Sequence, residues 1–110
     1  MVNTTKGKNK ERCVLTNVIE TELDILKRHL MVLETLKKNQ PAGIIKLSEL
    51  TQHPQHMVRY SLRILEQDGL IVPSSQGAVT TDAVQETFLL VKTKLKEMRK
   101  TVDELIASVD

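Results

Sequence analysis

The sequence predicts a mainly helical protein with one small β-hairpin, an α+β fold of one domain. Only 2% of its 110 residues are aromatic, so the core must be aliphatic, which suits packed helices better than a β-sandwich. Apolar residues recur at steps of three and four near both ends of the chain, and that period is helical. A Ser-Ser-Gln-Gly cluster between two β-prone segments adds the hairpin.

The first segment, residues 1–12, is predicted to be a disordered basic tail. It has almost no apolar side chain, so it cannot bury enough surface to fix its backbone. The alternative is a basic arm that contacts phosphates. Its cations are Lys6, Lys8, Lys10 and Arg12.

A long helix is predicted next, from about residue 15 to residue 38. Pro41 and Gly43 follow closely and place the end of this helix near Asn39. Its apolar stripe consists of Ile19, Leu23, Leu26, Leu30 and Leu33, with Leu36 as a further contact.

A short strand and a short helix are predicted after this long helix. Ile44 and Ile45 are β-branched and predict a brief strand beside the later hairpin. The short helix covers about residues 46–52 and turns Leu47 and Leu50 inward.

A further helix, over about residues 54–68, completes a helix-turn-helix. Pro54 suits its first position, where a missing N–H costs little, and Gly69 can end it in the left-handed conformation. Its inward positions are Val58, Leu62 and Leu65, with Ile64 at the edge.

Two short strands and a last long helix complete the chain. The strands are predicted over residues 70–73 and 78–81, around a turn at Ser74–Gly77. The helix runs from Asp82 to about Val109, and Thr81 or Asp82 can cap it. Its heptad stripe consists of Val84, Phe88, Val91, Leu95, Met98, Val102, Leu105 and Val109.

The two long helices have seams of opposite charge. The stripe of the last helix is flanked by Lys92, Lys94 and Arg99. The stripe of the first helix is flanked by Glu20, Glu22 and Glu34, against Lys27. We therefore expect the two helices to pack together, within one subunit or across a homodimer.

A homodimer is the favoured form of this packing, and a helix pair within a monomer is the alternative. Leu89, Leu90 and Ile106 lie outside the heptad stripe and also need cover. The residues predicted to pack are Ile19, Leu23, Leu26, Leu30, Phe88, Val91, Leu95, Met98, Val102 and Leu105.

The outward face of the helix over residues 54–68 predicts contact with double-stranded DNA. Arginine can bind guanine O6 and N7 through a bidentate fork, and glutamine can do the same for adenine. Residues near the amino end of such a helix reach deepest into the major groove, which favours Gln55, His56 and Arg59.

Other polar side chains are predicted to contact the DNA backbone. Arg63 and Lys46 are placed for phosphates, which fix register and carry no sequence information. Tyr60 is either a DNA contact or half-buried core, and Arg63, like Arg59, can also be an ordinary solvated charge. At the hairpin tip, Ser75 and Gln76 can hydrogen-bond to phosphate.

Residues 30–81 resemble the winged helix-turn-helix transcription regulators of archaea and bacteria. The motifs that carry the resemblance are KLSEL at 46–50, VRYSLRILEQDGLI at 58–71 and VTT at 79–81. The resemblance implies a winged-helix DNA-binding domain over residues 13–81 and a long helix over 82–110 that serves packing or dimerisation. The chain departs from the family at the wing tip, which has no Lys or Arg, so insertion of the wing into the minor groove is in doubt.

The main alternative is a winged-helix module that binds protein, within a transcription or chromatin assembly and without direct base readout. The uncharged wing and the net charge of only +2 favour this alternative. The clustering of Arg59 and Arg63 and the basic tail favour DNA.

The remaining features exclude several other classes of function. No catalytic arrangement or phosphate-binding loop is evident, so we expect neither an enzyme nor a cofactor. His53 and His56 have no nearby Cys or acidic ligand, so no metal is expected, and His29 is expected on a helix surface. The single cysteine, Cys13, and the lack of a membrane-length apolar run indicate a cytoplasmic protein. No effector ligand is predicted.

Overall fold

The structure, a computed structural model, describes residues 12–110, and the tail predicted before Arg12 lies outside these residues. The elements in chain order are α1 (Val14–Asn39), α2 (Ile44–Thr51), α3 (Gln55–Gln67), β1 (Ile71–Ser74), β2 (Gly77–Thr80) and α4 (Ala83–Ser108). The predicted α+β class, mainly helical with one hairpin and long terminal helices, is confirmed.

One aliphatic core joins the second half of α1 to α2, α3, the hairpin and the first turn of α4. It contains no aromatic residue among its fully buried members, as the composition requires, and Phe88 packs against its edge. The buried members are Val32, Leu33, Leu36, Ala42, Leu47, Val58, Leu65, Leu70, Ile71 and Val84.

Helix α1 begins and ends within one residue of the predicted bounds, but its buried side matches the predicted apolar positions only at Leu33 and Leu36. Arg28, Val32 and Leu36 are buried at helical steps of four, on the side of α1 that packs against α2 and α3. Leu26 and Leu30, which belong to the predicted stripe, are only half-buried because they face a cavity beside α4.

The strand predicted at Ile44 and Ile45 is wrong, because these two residues begin α2. The extended residue Gly43 precedes them, and its carbonyl accepts the first helical hydrogen bond from Leu47 N. Ala42 makes the strand-like contact instead and exchanges two backbone hydrogen bonds with Ala78, of 3.2 and 2.9 Å.

The inward side of α2 consists of Leu47 and Thr51. Leu47 is fully buried, as predicted, but the prediction for Leu50 is wrong, since 48% of this side chain is exposed. Thr51 takes the inward position because its hydroxyl donates to the Leu47 carbonyl at 2.7 Å, which satisfies it inside the core.

The boundaries of α3 follow from one proline and one glycine. Pro54 is the residue just before the helix, rather than its first residue, and its carbonyl accepts from Met57 N and Val58 N. Gly69 has a φ of 78° and ends the helix in the left-handed conformation, as predicted. The inward residues are Val58, Ser61 and Leu65, whereas Leu62 is half-buried.

The hairpin pairs β1 with β2 in antiparallel register and presents a two-residue loop, Ser75-Gln76. The Ser74 hydroxyl donates to the Gly77 carbonyl and accepts from Gln76 N, which closes the turn. Gly77 lies so close to the Ala42 backbone that an added Cβ would stand 2.7 Å from a carbonyl carbon. This contact fixes the hairpin against the segment that precedes α2.

Helix α4 is anchored at its start and uncovered over its second half. The Thr81 hydroxyl donates to the Gly69 carbonyl at 2.7 Å and accepts from Ala83 N at 3.3 Å. The N-cap residue of α4 is Asp82, whose side chain makes no capping hydrogen bond. Every residue from 96 to 110 is exposed, as is every residue from 12 to 24. We refer to residues 14–24 of α1 and 96–108 of α4 as the uncovered halves of the terminal helices.

Candidate nucleic-acid interface

Helix α3 presents most of the predicted DNA-contacting side chains to solvent. Its buried residues anchor one side against α1 and α2, and this fixes which side chains point outward. The outward residues Gln55, His56, Arg59 and Arg63 are all exposed. They form the surface that we call the α3 outer face.

The two arginines of the α3 outer face form no ion pair with an acidic residue of the described part of the chain. Arg59 and Arg63 are four residues apart and therefore lie one helical turn apart on the same side. In residues 12–110, ion pairs within 4.0 Å are formed by Lys38 with Glu34 and by Lys94 with Glu97. Both guanidinium groups are thus available to an external anion.

A groove of about 460 Å³ runs between α3 and the hairpin. Its floor is apolar, with Leu62, Ile71 and Ala78, and it is bordered by Arg59 and Arg63. Glu66 also lies along it, without reaching salt-bridge distance of either arginine. The groove therefore combines an apolar floor with a mainly cationic border.

A second concave surface joins the start of α2 to the start of α3. It is lined by Lys46, Gln55 and Arg59, among others. The structure thus brings Lys46 of the short helix to the same surface as two members of the α3 outer face, although it lies nine positions before Gln55 in the sequence.

The hairpin tip borders the same region and carries no charge. Ser74 and Gly77, which flank the tip, line the groove together with Arg59 and Arg63. The side chains of the loop residues, Ser75 and Gln76, are exposed. Their hydrogen-bonding groups are therefore open to an external partner.

Tyr60 differs from the other predicted contacts because its ring packs towards α1. The ring centroid lies 5.7 Å from that of His29 and 5.9 Å from Cζ of Arg28. Because 43% of its surface is nevertheless exposed, the choice between its two interpretations, DNA contact or half-buried core, stays open.

A polar cluster that the sequence reasoning missed lies behind Tyr60. Ser61 is fully buried and accepts a hydrogen bond of 3.0 Å from Nε of Arg28. Its hydroxyl lies 2.8 Å from Nδ1 of His29, so the prediction of His29 as a surface residue is wrong. Helical spacing offered a signal, because position 61 follows Val58 by three and precedes Leu65 by four, on the inward side.

The electrostatics of this cluster favour the neutral form of His29. Burial, with a smaller contribution from the Arg28 cation, lowers the pKa of His29 from its usual value of 6.5. A neutral ring can accept a hydrogen bond at Nδ1, which allows the Ser61 hydroxyl to donate to His29 while it accepts from Arg28. Each of the three side chains then has a partner, and α1 is joined to α3 through them.

Neither the metal-binding residue types of the described chain nor comparison with known proteins identifies a further functional site. Within residues 12–110, no three His, Cys, Asp or Glu side chains are grouped closely enough to hold a metal ion. No helix in this part of the chain is both long enough and apolar enough to cross a membrane. Neither a protein-family model nor a curated protein sequence matches the chain.

Proposed function

We propose that this protein is a DNA-binding transcriptional regulator of the winged-helix type, which places α3 in the major groove. The observation that carries the proposal is the α3 outer face, where Arg59 and Arg63 lie one turn apart and no carboxylate of residues 12–110 comes within 4.0 Å of either guanidinium group. Unpaired guanidinium groups on an exposed helix match the phosphate oxygens and guanine edges of duplex DNA. A cytoplasmic location follows from this function.

The proposed roles divide the site between base readout and backbone contact. Gln55 and Arg59, near the amino end of α3, read base edges, and His56 lies beside them. Lys46 and Arg63 bind phosphates on either side of these base contacts and set the register of the helix on the DNA. Ser75 and Gln76 donate to a phosphate from the hairpin tip. A tip without a cation adds hydrogen bonds but no counterion release.

The uncovered halves of the terminal helices support assembly as a homodimer. The apolar side chains exposed there include Ile19 at 54%, Val102 at 48% and Leu105 at 54%, and such a surface favours burial against a partner. Beside the apolar stripes, Glu20 and Glu22 of α1 and Arg99 of α4 provide complementary charges. Two copies would present two α3 outer faces, one to each of two DNA half-sites. These half-sites would lie about one helical turn, ~34 Å, apart.

Titration against duplex DNA at several salt concentrations tests the proposed function. We expect the association constant to fall steeply between about 50 and 200 mM salt, because bound cations release counterions from DNA. The double variant Arg59→Ala/Arg63→Ala should bind at least about tenfold more weakly, with a salt slope smaller by about one per arginine.

The matched control is Lys96→Ala/Lys100→Ala. It removes the same number of charges, at the same spacing, from the exposed side of α4 that lies opposite its heptad stripe, and it should leave the affinity within about threefold of the wild type. No detectable binding at low salt, or an equal loss in the two double variants, would contradict the assignment to α3.

The groove between α3 and the hairpin favours a second candidate function, binding of a protein. Its apolar floor of Leu62, Ile71 and Ala78 can accept an apolar side chain, and the uncharged hairpin tip does not oppose a protein partner. In this case Leu62→Ala, rather than Arg59→Ala/Arg63→Ala, would reduce binding to the partner, and duplex DNA would not compete for it.

A further inference from the structure

Three polar side chains connect α1 to α3 inside an otherwise aliphatic interface. Arg28 and His29 are adjacent on α1, and both contact the hydroxyl of Ser61 on α3. Arg28 is 9% exposed and Ser61 is fully buried. Because a buried polar group is costly without a partner, this arrangement tolerates little change in protonation.

One arrangement of protons gives each side chain of the Arg28–His29–Ser61 cluster a partner. Arg28 can only donate, so Oγ of Ser61 accepts from Nε of Arg28. The Ser61 proton can then go to Nδ1 of His29, provided that the ring carries its own proton on Nε2. His29 is neutral in this arrangement.

We propose that this cluster is an acid-sensitive latch between α1 and α3, which opens when His29 takes up a proton from solvent at Nδ1. The Ser61 hydroxyl loses its acceptor at that step, because both Arg28 and His29 then donate towards the same oxygen. Two adjacent cations also face each other across Ser61 in a partly desolvated site, where their repulsion is weakly screened. The packing of α1 on α3, including Tyr60, loosens as a result.

The charged surroundings of His29 oppose its protonation. On α1 the nearest charge is Arg28, and on α3 the ring faces Tyr60 and Ser61. Asp68, which directly follows α3, lines the same small cavity as His29, but no carboxylate of the described chain lies within 4.0 Å of the ring. Helix α4 contributes only Thr87, Phe88 and Val91 to that cavity, and none of these titrates near neutral pH.

The direction of the pH effect follows from linkage. His29 has a lowered pKa in the fold and an ordinary pKa near 6.5 in the unfolded chain, so the unfolded chain binds more protons between these two values. The contribution of His29 to stability is therefore complete above about pH 6.5. It is lost as the pH falls towards the lowered pKa.

Tyr60 gives a direct readout, because it is the one tyrosine of a chain that has no tryptophan. Its ring lies against both His29 and Arg28. We expect the tyrosine emission of the full chain to change as the pH falls from about 8 to about 5, with a midpoint below 6.5. The melting temperature should fall over the same interval.

The variant His29→Asn tests the assignment, because its amide oxygen can accept from Ser61 but cannot be protonated. It should lose the emission transition and most of the fall in melting temperature. The control His56→Asn changes an exposed histidine of α3 and should keep both. A transition that persists in His29→Asn, or the absence of any transition in the wild type, would overturn the proposal.

NMR titration of the histidine rings provides the second measurement, with Ser61→Ala as its variant. In the wild type, His29 should titrate below 6.5. Removal of the Ser61 hydroxyl takes away the donor that stabilises the neutral ring, so the His29 midpoint should rise. An unchanged midpoint in Ser61→Ala would show that Ser61 is not part of the latch. None of these readouts depends on DNA.

Discussion

The two halves of α1 share one apolar period but differ completely in their surroundings. From residue 25 onwards the helix is packed against α2 and α3, and Val32, Leu33 and Leu36 are buried. Before residue 25 every side chain is exposed, including Leu15 at 89% and Ile19 at 54%. The spacing of apolar residues thus shows which side of α1 is apolar, but it does not show what covers that side.

Helix α4 shows the same contrast with the order reversed, because its start is covered and its second half is exposed. Its first turns are anchored by buried Val84 and half-buried Phe88, whereas Val102 and Leu105 of its second half are about half exposed. A cavity of about 150 Å³ separates α4 from α1 near Leu30 and Val91. The helix pairing predicted within one subunit is therefore limited to the covered region, which favours an intersubunit role for the uncovered halves.

The largest expected difference is between Leu36→Ala and Leu15→Ala, two equal truncations in the same helix. Leu36→Ala opens a cavity in the core and should lower the free energy of unfolding by about 3 kcal/mol. Leu15→Ala should lower it by less than about 0.5 kcal/mol at low protein concentration. Urea unfolding measures both values.

A cost at Leu15 that grows with protein concentration would show that a partner chain covers this half of α1. Equal costs for the two leucines at low concentration would remove the distinction between the halves, because Leu15 would then be buried within a single chain.

The second prediction concerns the oligomeric state. Val102→Glu removes apolar burial from the proposed dimer interface and adds a charge, which should weaken the dimer by about 2 kcal/mol, or roughly thirtyfold in the dissociation constant. Light scattering after size exclusion should show a smaller average mass for this variant. The control Lys100→Glu, two residues away, should not reduce the mass to the same extent.

A wild-type protein that is a monomer at micromolar concentration would refute the dimer. The uncovered halves would then require a different partner.

A smaller effect is expected at the polar cluster of the covered region. Ser61→Ala leaves Nε of the buried Arg28 without its acceptor and should lower the free energy of unfolding by about 1–2 kcal/mol. Ser75→Ala at the exposed hairpin tip should change it by less than about 0.5 kcal/mol. Equal effects on stability would show that the hydrogen bond between Arg28 and Ser61 contributes nothing measurable.

Most of the fold was predictable because strong local signals agree with one another. The apolar period and Pro41 placed α1 within one residue of its bounds, and the turn cluster placed the hairpin. Gly69 marked the end of α3 because few other residues adopt a positive φ without strain. Ile44 and Ile45 were misassigned because the β propensity of two residues is a weaker influence than the packing of α2.

The polar part of the interior was less predictable. Arg28, His29 and Ser61 belong to residue types that are mostly exposed or only partly buried in folded proteins, and their mutual contacts join positions 32 and 33 residues apart. No local pattern encodes such a distance. The α3 outer face was easier to predict, since the opposite side of a helix follows directly from its buried side.

Amide chemical-shift mapping with a DNA duplex tests the central claim most directly. On addition of DNA, we expect the largest shifts on the α3 outer face, at Gln55, His56, Arg59 and Arg63, with smaller shifts at Lys46 and the hairpin tip. Shifts confined to α4, or no shifts at low salt, would contradict the proposal that α3 binds DNA.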